Sequence, residues 1–171
     1  MTPPERKPAV AKVYLGLGSN ISAEENLALG IRELRWRFGS LNLSPVYRNA
    51  ALGFAGDDFL NMVVGLETSD PPEELLAQIE LIHALAGRNR GSGRYTSRPL
   101  DIDLLLYGDQ VLDLPRCHVP RSDVLEYSFV LRPLAEIAPA LVHPETGKTM
   151  LEHWQAFDAQ NHALQVVHLV L

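Results

Sequence analysis

Two acidic residues two positions apart, with arginines gathered just before them, are the side chains in this sequence best placed to do chemistry. The segment runs Arg94-Tyr-Thr-Ser-Arg-Pro-Leu-Asp-Ile-Asp-Leu-Leu-Leu-Tyr-Gly108. If Leu100–Tyr107 is a strand, Asp101 and Asp103 leave the same face, with Cα atoms about 6.6–6.8 Å apart. Carboxylates so placed can hold a pair of Mg²⁺ ions about 3.5–4 Å apart on a polyphosphate. Leu100, Ile102 and Leu104 point the other way, and Leu104-Leu105-Leu106 marks a strand buried on both faces beyond the pair. Carboxylates at the end of such a strand need cations or partners. A solvent-facing stripe on a half-buried strand is the plainer alternative. Arg88, Arg90, Arg94 and Arg98 crowd into one short stretch with no acid among them, on a chain of net charge -6. That contrast points to a small polyanion such as a nucleoside triphosphate, against the alternative of a solvated charged loop. The planar guanidinium fork suits phosphate oxygens. Arg98 can share the carboxylate face only if the loop is still turning there, because strand parity would otherwise aim it away.

Other candidate motifs fail on their spacing. Gly16-Leu-Gly-Ser-Asn20 follows a strand-like run but has Ile21 where a dinucleotide fingerprint needs its third glycine. Gly147-Lys148-Thr149 looks like the end of a phosphate loop, yet Val142 stands where that loop must open with glycine. The histidines form no pair with metal-ligand spacing. Cys117, the single cysteine, excludes an internal disulfide and reads as a packing residue. The acidic balance and the missing RNP-type aromatics speak against an RNA-binding sheet. No apolar run is long enough to span a bilayer, and the N-terminus lacks the apolar core of a secretory signal. A cytoplasmic location is the expectation.

The elements that must position these residues follow from periodicity. Val13–Gly18 reads as a strand, and Leu27, Ile31, Leu34 and Phe38 recur at helical spacing after Ser22 and before Gly39. Leu41–Tyr47 reads as a strand, 49–58 as a loop, and Phe59–Thr68 as the next strand. Ser69-Asp70-Pro71-Pro72 opens a helix carried by Leu75, Ile79, Ile82 and Leu85 to Gly87. With Leu100–Tyr107 the order is β-α-β-β-α-β, the ferredoxin-like pattern of an α+β fold. Short helices are expected near Ser122–Glu126, Val130–Ala138 and Met150–Phe157, and an edge strand within Leu164–Leu171. Residues 1–11 read as a flexible tail and 12–171 as one domain.

Taken in order, Gly16-Leu-Gly-Ser-Asn20, Phe59-Leu-Asn61, Gly87-Arg-Asn-Arg90, Ser97-Arg-Pro-Leu-Asp-Ile-Asp103 and Val119-Pro120 resemble the 6-hydroxymethyl-7,8-dihydropterin pyrophosphokinases of folate biosynthesis. The resemblance spans about Val13 to Trp154, and the combination of motifs is far more specific than any piece. It implies a ferredoxin-like core in a three-layer αβα sandwich with extra C-terminal helices. It implies a monomer that uses ATP and two Mg²⁺ ions, with no nucleic-acid or membrane partner. The pterin hydroxyl would attack the β-phosphorus of ATP, and AMP would leave. By the same resemblance Asp101 and Asp103 hold the metals, while Arg88 and Arg98 act in catalysis. Arg88, Arg90, Arg98, Arg116 and Arg121 face ATP; Phe59 and Phe129 sandwich the pterin, with Leu52 and Tyr95 beside it and Asn61 reading its edge. Three positions depart from the family: His83 stands where Glu is frequent, Tyr95 where Trp is frequent, and Arg121 where His is common. A proline-bearing segment common before the pterin pocket is here Arg48-Asn-Ala-Ala-Leu-Gly53. A catalytically weak paralogue that binds pterin or nucleotide is the alternative.

Overall fold

Alternating apolar residues build a central strand from which the sheet grows in both directions. In the computed structural model, which describes residues 9–87, 99–161 and 163–171, β1 (Ala11–Ser19) buries Val13, Leu15 and Leu17 on one face. It pairs along its whole length with β4 (Phe59–Thr68) and on its other side with β5 (Asp101–Tyr107), antiparallel in both cases. Beyond β4 lie β3 (Val46–Asn49) and then β8 (Gln165–Val167), giving the order β5-β1-β4-β3-β8.

The run expected as one strand over Leu41–Tyr47 is interrupted. β2 (Asn42–Leu43) and β3 both pair with β4, separated by Ser44-Pro45. Pro45 has no N–H to give. Ser44 bridges the gap: its N–H donates to the Val63 carbonyl (3.0 Å) and its hydroxyl accepts from the Val63 N–H (2.8 Å).

Helices cover both faces. α1 (Ala23–Phe38) lays Leu27, Ile31 and Leu34 on the sheet and ends at Gly39, whose φ of 78° favours glycine. α2 (Pro72–Leu85) adds Leu75, Ile79 and Ile82 to the same core. Ser22 precedes α1 but makes no side-chain capping bond. The opposite face is covered by α3 (Asp123–Glu126), α4 (Ser128–Ile137) and α5 (Met150–Ala156), whose Val124, Leu131, Leu134 and Met150 pack with Val63 and Leu105. Thr149 closes a capping box with Glu152 at the start of α5. Neither a 3₁₀ turn at Ala159–Asn161 nor a hairpin of β6 (Leu112–Leu114) and β7 (Cys117–Val119) has a counterpart in the sequence reading. Three-residue strands interleaved with Asp113 and His118 carry too little periodicity to register. Burial pushes the Cys117 thiol up from its ordinary pKa, as suits a packing residue rather than a nucleophile.

Candidate active site

The ends of four strands meet at one edge of the sheet, and their register lays out the site. Asp101 of β5 lies opposite Gly18 of β1; Gly18 lies opposite Asn61 of β4; Asn61 lies opposite Tyr47 of β3. Directly paired residues in antiparallel strands point to the same face. Asp101, Asn61 and Tyr47 therefore rise side by side, with bare backbone at Gly18 between them. The neighbouring row is Asp103, Gly16 and Val63. Both rows are on the face that α3, α4 and α5 cover.

The Gly16-Leu-Gly-Ser-Asn20 segment thus has a physical role that its failure as a dinucleotide motif concealed. A Cβ built on Gly18 would stand 2.7 Å from Asn61 Oδ1, closer than real contacts allow. A side chain there would displace the amide from the floor of the site. Glycines two apart inside a strand are the signal that something approaches the backbone closely. Ser19 donates its hydroxyl to the Pro99 carbonyl, fixing the chain two residues before Asp101. Asn20 donates to the Asp57 carbonyl (3.3 Å), tying the strand end to the 50–58 loop.

Behind the carboxylates, His83 of α2 is fully buried and accepts the Ile102 N–H on Nε2 (2.9 Å). An accepting Nε2 on a neutral ring leaves the proton on Nδ1, which meets Glu80 at 3.1 Å. The family departure at His83 is therefore a brace for the strand that carries the aspartates. Asp103 faces Arg121, whose Nη1 lies 3.8 Å from Asp103 Oδ1 and whose Nε donates to Asp123 Oδ2 at 2.8 Å. Burial works against the Arg121 charge, but Asp103 and Asp123 outweigh it and hold its pKa above the ordinary guanidinium value. The β6–β7 hairpin delivers Arg121 here, and the Arg121 N–H donates to the Leu105 carbonyl (2.9 Å).

Aromatic residues lie in β4, in the loop before it and at the start of α4. Phe59 is half-buried and meets Phe54 edge-on at 6.3 Å. Phe129, at the start of α4, is half-buried, stacks on Tyr127 at 5.0 Å, and packs against the second core. The Phe54 and Tyr127 contacts are additions to the sequence reading. Tyr47, at the end of the row, is buried, and its hydroxyl donates to Glu136 of α4. Burial first, then Glu136, pushes the Tyr47 pKa up to about 12, so the hydroxyl keeps its proton. Arg132 lies over its ring at 4.8 Å. Leu52 is exposed in the 50–58 loop, and Arg116 is exposed at the hairpin turn. Arg88, Arg90, Tyr95 and Arg98 lie outside the described residues. Among the described residues no three His, Cys, Asp or Glu side chains converge as a self-sufficient metal cage. Two partly exposed carboxylates without a third protein ligand fit Mg²⁺, which keeps waters and takes its remaining ligands from substrate phosphates.

Residues 14–139 match the model of the family described as 7,8-dihydro-6-hydroxymethylpterin-pyrophosphokinase. A 2-amino-4-hydroxy-6-hydroxymethyldihydropteridine pyrophosphokinase of Pseudomonas aeruginosa is 37% identical over 140 residues, covering 80% of this chain and 86% of that protein. The protein of the same name from Aquifex aeolicus is 36% identical over 145 residues, covering 84% and 90%. A crystal structure of Plasmodium falciparum HPPK-DHPS with pteroate superposes with a TM-score of 0.72 over 91% of this chain, at 12% identity. This chain spans 44% of that longer one, and the likeness is one of fold.

Proposed function

The chain belongs to the 7,8-dihydro-6-hydroxymethylpterin-pyrophosphokinase family and is an ATP-dependent pterin pyrophosphokinase of folate biosynthesis; we propose that the carboxylate–glycine–amide row is where it works. The observation that carries the proposal is the pairing Asp101–Gly18–Asn61. It supports the reading because Asp101 and Asn61 share one face of the sheet with only Gly18 between them. Asp101 and Asp103 would hold Mg²⁺, two ions in the fullest form of the reading. The metal supplies charge neutralisation on the phosphates when bound. The pterin hydroxymethyl oxygen bonds to the β-phosphorus and gives up its proton to solvent, the bond from that phosphorus to the α,β-bridging oxygen breaks, and AMP leaves with the electron pair. Arg121, beside Asp103, and Arg116, Arg88, Arg90 and Arg98 would face the triphosphate, with Arg88 and Arg98 acting on the transition state. Phe59 and Phe129 would sandwich the pterin, Asn61 would read its edge, and Leu52 and Tyr95 would line the approach. We take the β-α-β-β-α-β order, with helices on both faces, as a ferredoxin-like αβα sandwich forming one domain over 12–171, preceded by the tail 1–11. A cytoplasmic monomer completes the reading.

The test is AMP release from MgATP in the presence of 6-hydroxymethyl-7,8-dihydropterin. AMP should appear only with both substrates and should stop in excess EDTA. Binding of both ligands without pterin-dependent AMP would instead make the chain a binding module.

Three variants probe the rims. Arg121→Ala should raise KM for ATP by about tenfold, the worth of one charge-assisted phosphate contact. Initial rates at varied ATP decide it, and an unchanged KM would confine Arg121 to its ion pairs with Asp103 and Asp123. Phe59→Ala should cost less than the roughly 3–5 kcal/mol of a fully buried phenylalanine, because its ring is half-buried. Its loss should appear as pterin binding weakened by about tenfold or more, the worth of one stacked ring. Phe129→Ala should melt lower than Phe59→Ala, since Phe129 also packs against the second core. Melting curves with separate pterin and ATP titrations check both, and normal pterin binding by a destabilised Phe59→Ala would return that ring to the core.

A further inference from the structure

We propose that Asn49 is a positioning residue that sets which way the Asn61 amide faces, and thereby the hydrogen-bonding pattern of pterin the site accepts; this rests on the assignment of Asn61 to the pterin edge. An asparagine side chain is nearly symmetric in shape but not in chemistry. One end accepts and the other donates, and turning it over exchanges the two. Something must hold the end that a ligand meets.

The register places Asn49 at the last position of β3, opposite Phe59 and two pairs beyond Tyr47↔Asn61, so it shares the face of Asn61. The Asn49 Nδ2 donates to the Ala50 carbonyl at 3.1 Å. A carbonyl can only accept, so this bond fixes the Asn49 amide and leaves its Oδ1 to face Asn61. Asn61 Nδ2 donates to that oxygen. With its nitrogen committed there, Asn61 turns its Oδ1 over Gly18, where even a Cβ would come within 2.7 Å of it. A main-chain carbonyl outside the pocket thus dictates, through two amides, that an acceptor stands over the glycine floor. Asn61 is buried, so a reversed amide would set nitrogen against nitrogen at Asn49 and forfeit the bond between them. Along its N3–C4 edge the pterin offers a donor beside an acceptor, complementary to this orientation. A 2,4-diaminopteridine reverses that order, with an acceptor at N3 and a donor at C4. The fixed amide therefore discriminates by chemistry rather than by size.

The experiment measures affinity for 6-hydroxymethylpterin and for its 2,4-diamino counterpart by titration, with melting curves, in the whole protein and four variants. Asn49→Leu keeps the bulk and removes the acceptor. It should weaken pterin binding by about tenfold and narrow the preference over the diamino compound, with kcat at saturating substrate little changed. Asn49→Asp can only accept, so Asn61 must still donate to it, and the preference should return. Asn49→Ala repeats the Leu test with a smaller side chain and stands in for it if the Leu variant does not fold. An undiminished preference in both the Leu and Ala variants would overturn the proposal, as would an Asp variant that behaves like them. Asn61→Ala separates the two levels. If it binds pterin as tightly as the parent protein, the site assignment itself falls. If it loses pterin while the Asn49 variants keep their preference, only the orienting role falls.

Discussion

Alanine at Asp101 or at Asp103 is expected to lower turnover on the order of 10³-fold or more, the scale on which a centre that stabilises transferring charge fails when a ligand is removed. The fold should survive. Both carboxylates are only partly buried, and the residues that hold β5 in the sheet, Leu100, Ile102 and Leu104, point into the opposite core. The ion pair of Asp103 with Arg121 is a 3.8 Å contact with both side chains about a third exposed. Pairs of that kind contribute at most about 1 kcal/mol. The melting temperature should therefore stay close to that of the parent protein while AMP release collapses. AMP quantitation beside a circular-dichroism melt reads both quantities. Wild-type turnover in either variant would remove the carboxylates from the mechanism, and a large drop in melting temperature would make them structural.

The second large effect is expected from adding a single methyl group. Gly18→Ala places a Cβ where Asn61 Oδ1 stands, 2.7 Å away, with Phe59 Cδ1 next at 3.9 Å. The amide must leave the floor, and kcat/KM for the pterin should fall by about 10²-fold, the combined loss of edge recognition and of a flat platform. Stability should move the other way or not at all, because replacing glycine inside a strand recovers roughly 0.5–1 kcal/mol of backbone entropy. ATP affinity should change little. Gly16→Ala is the internal comparison. There the added Cβ would meet only the Leu105 side chain at 3.4–3.5 Å, so its loss should be smaller. Equal losses in the two variants would mean that the strand, not the Asn61 contact, is what the methyl disturbs.

The parts of this site that follow from periodicity were legible in the sequence. Parity alone puts Asp101 and Asp103 on one face and Ile102 in the core, and the structure agrees. The split of the Leu41–Tyr47 strand was missed because it depends on Ser44 finding Val63 across the sheet, not on any local propensity. Arg121 reaches Asp103 because a hairpin of three-residue strands turns the chain back to β5, and so short a pattern has no period to read. His83 appeared as a departure from its family. Its use as a brace depends on a bond from the Ile102 N–H, which comes from a strand 19 positions further along the chain. The glycines of the first strand lack the spacing of a dinucleotide fingerprint. What they provide is an absence of side chain beside an asparagine far along the chain, and that depends on register.

The position of β8 has a consequence for how the chain is made. The pairing Val46↔Val167 joins positions far apart in the sequence. During synthesis the first helix and the early strands emerge well before their last partner. Until residues 165–167 have left the ribosome, β3 presents an uncovered strand edge to every neighbouring nascent chain. Among the described strands, the one that carries Asn49 is thus the last to be enclosed, and the nascent chain depends on β8 for protection against pairing with a stranger.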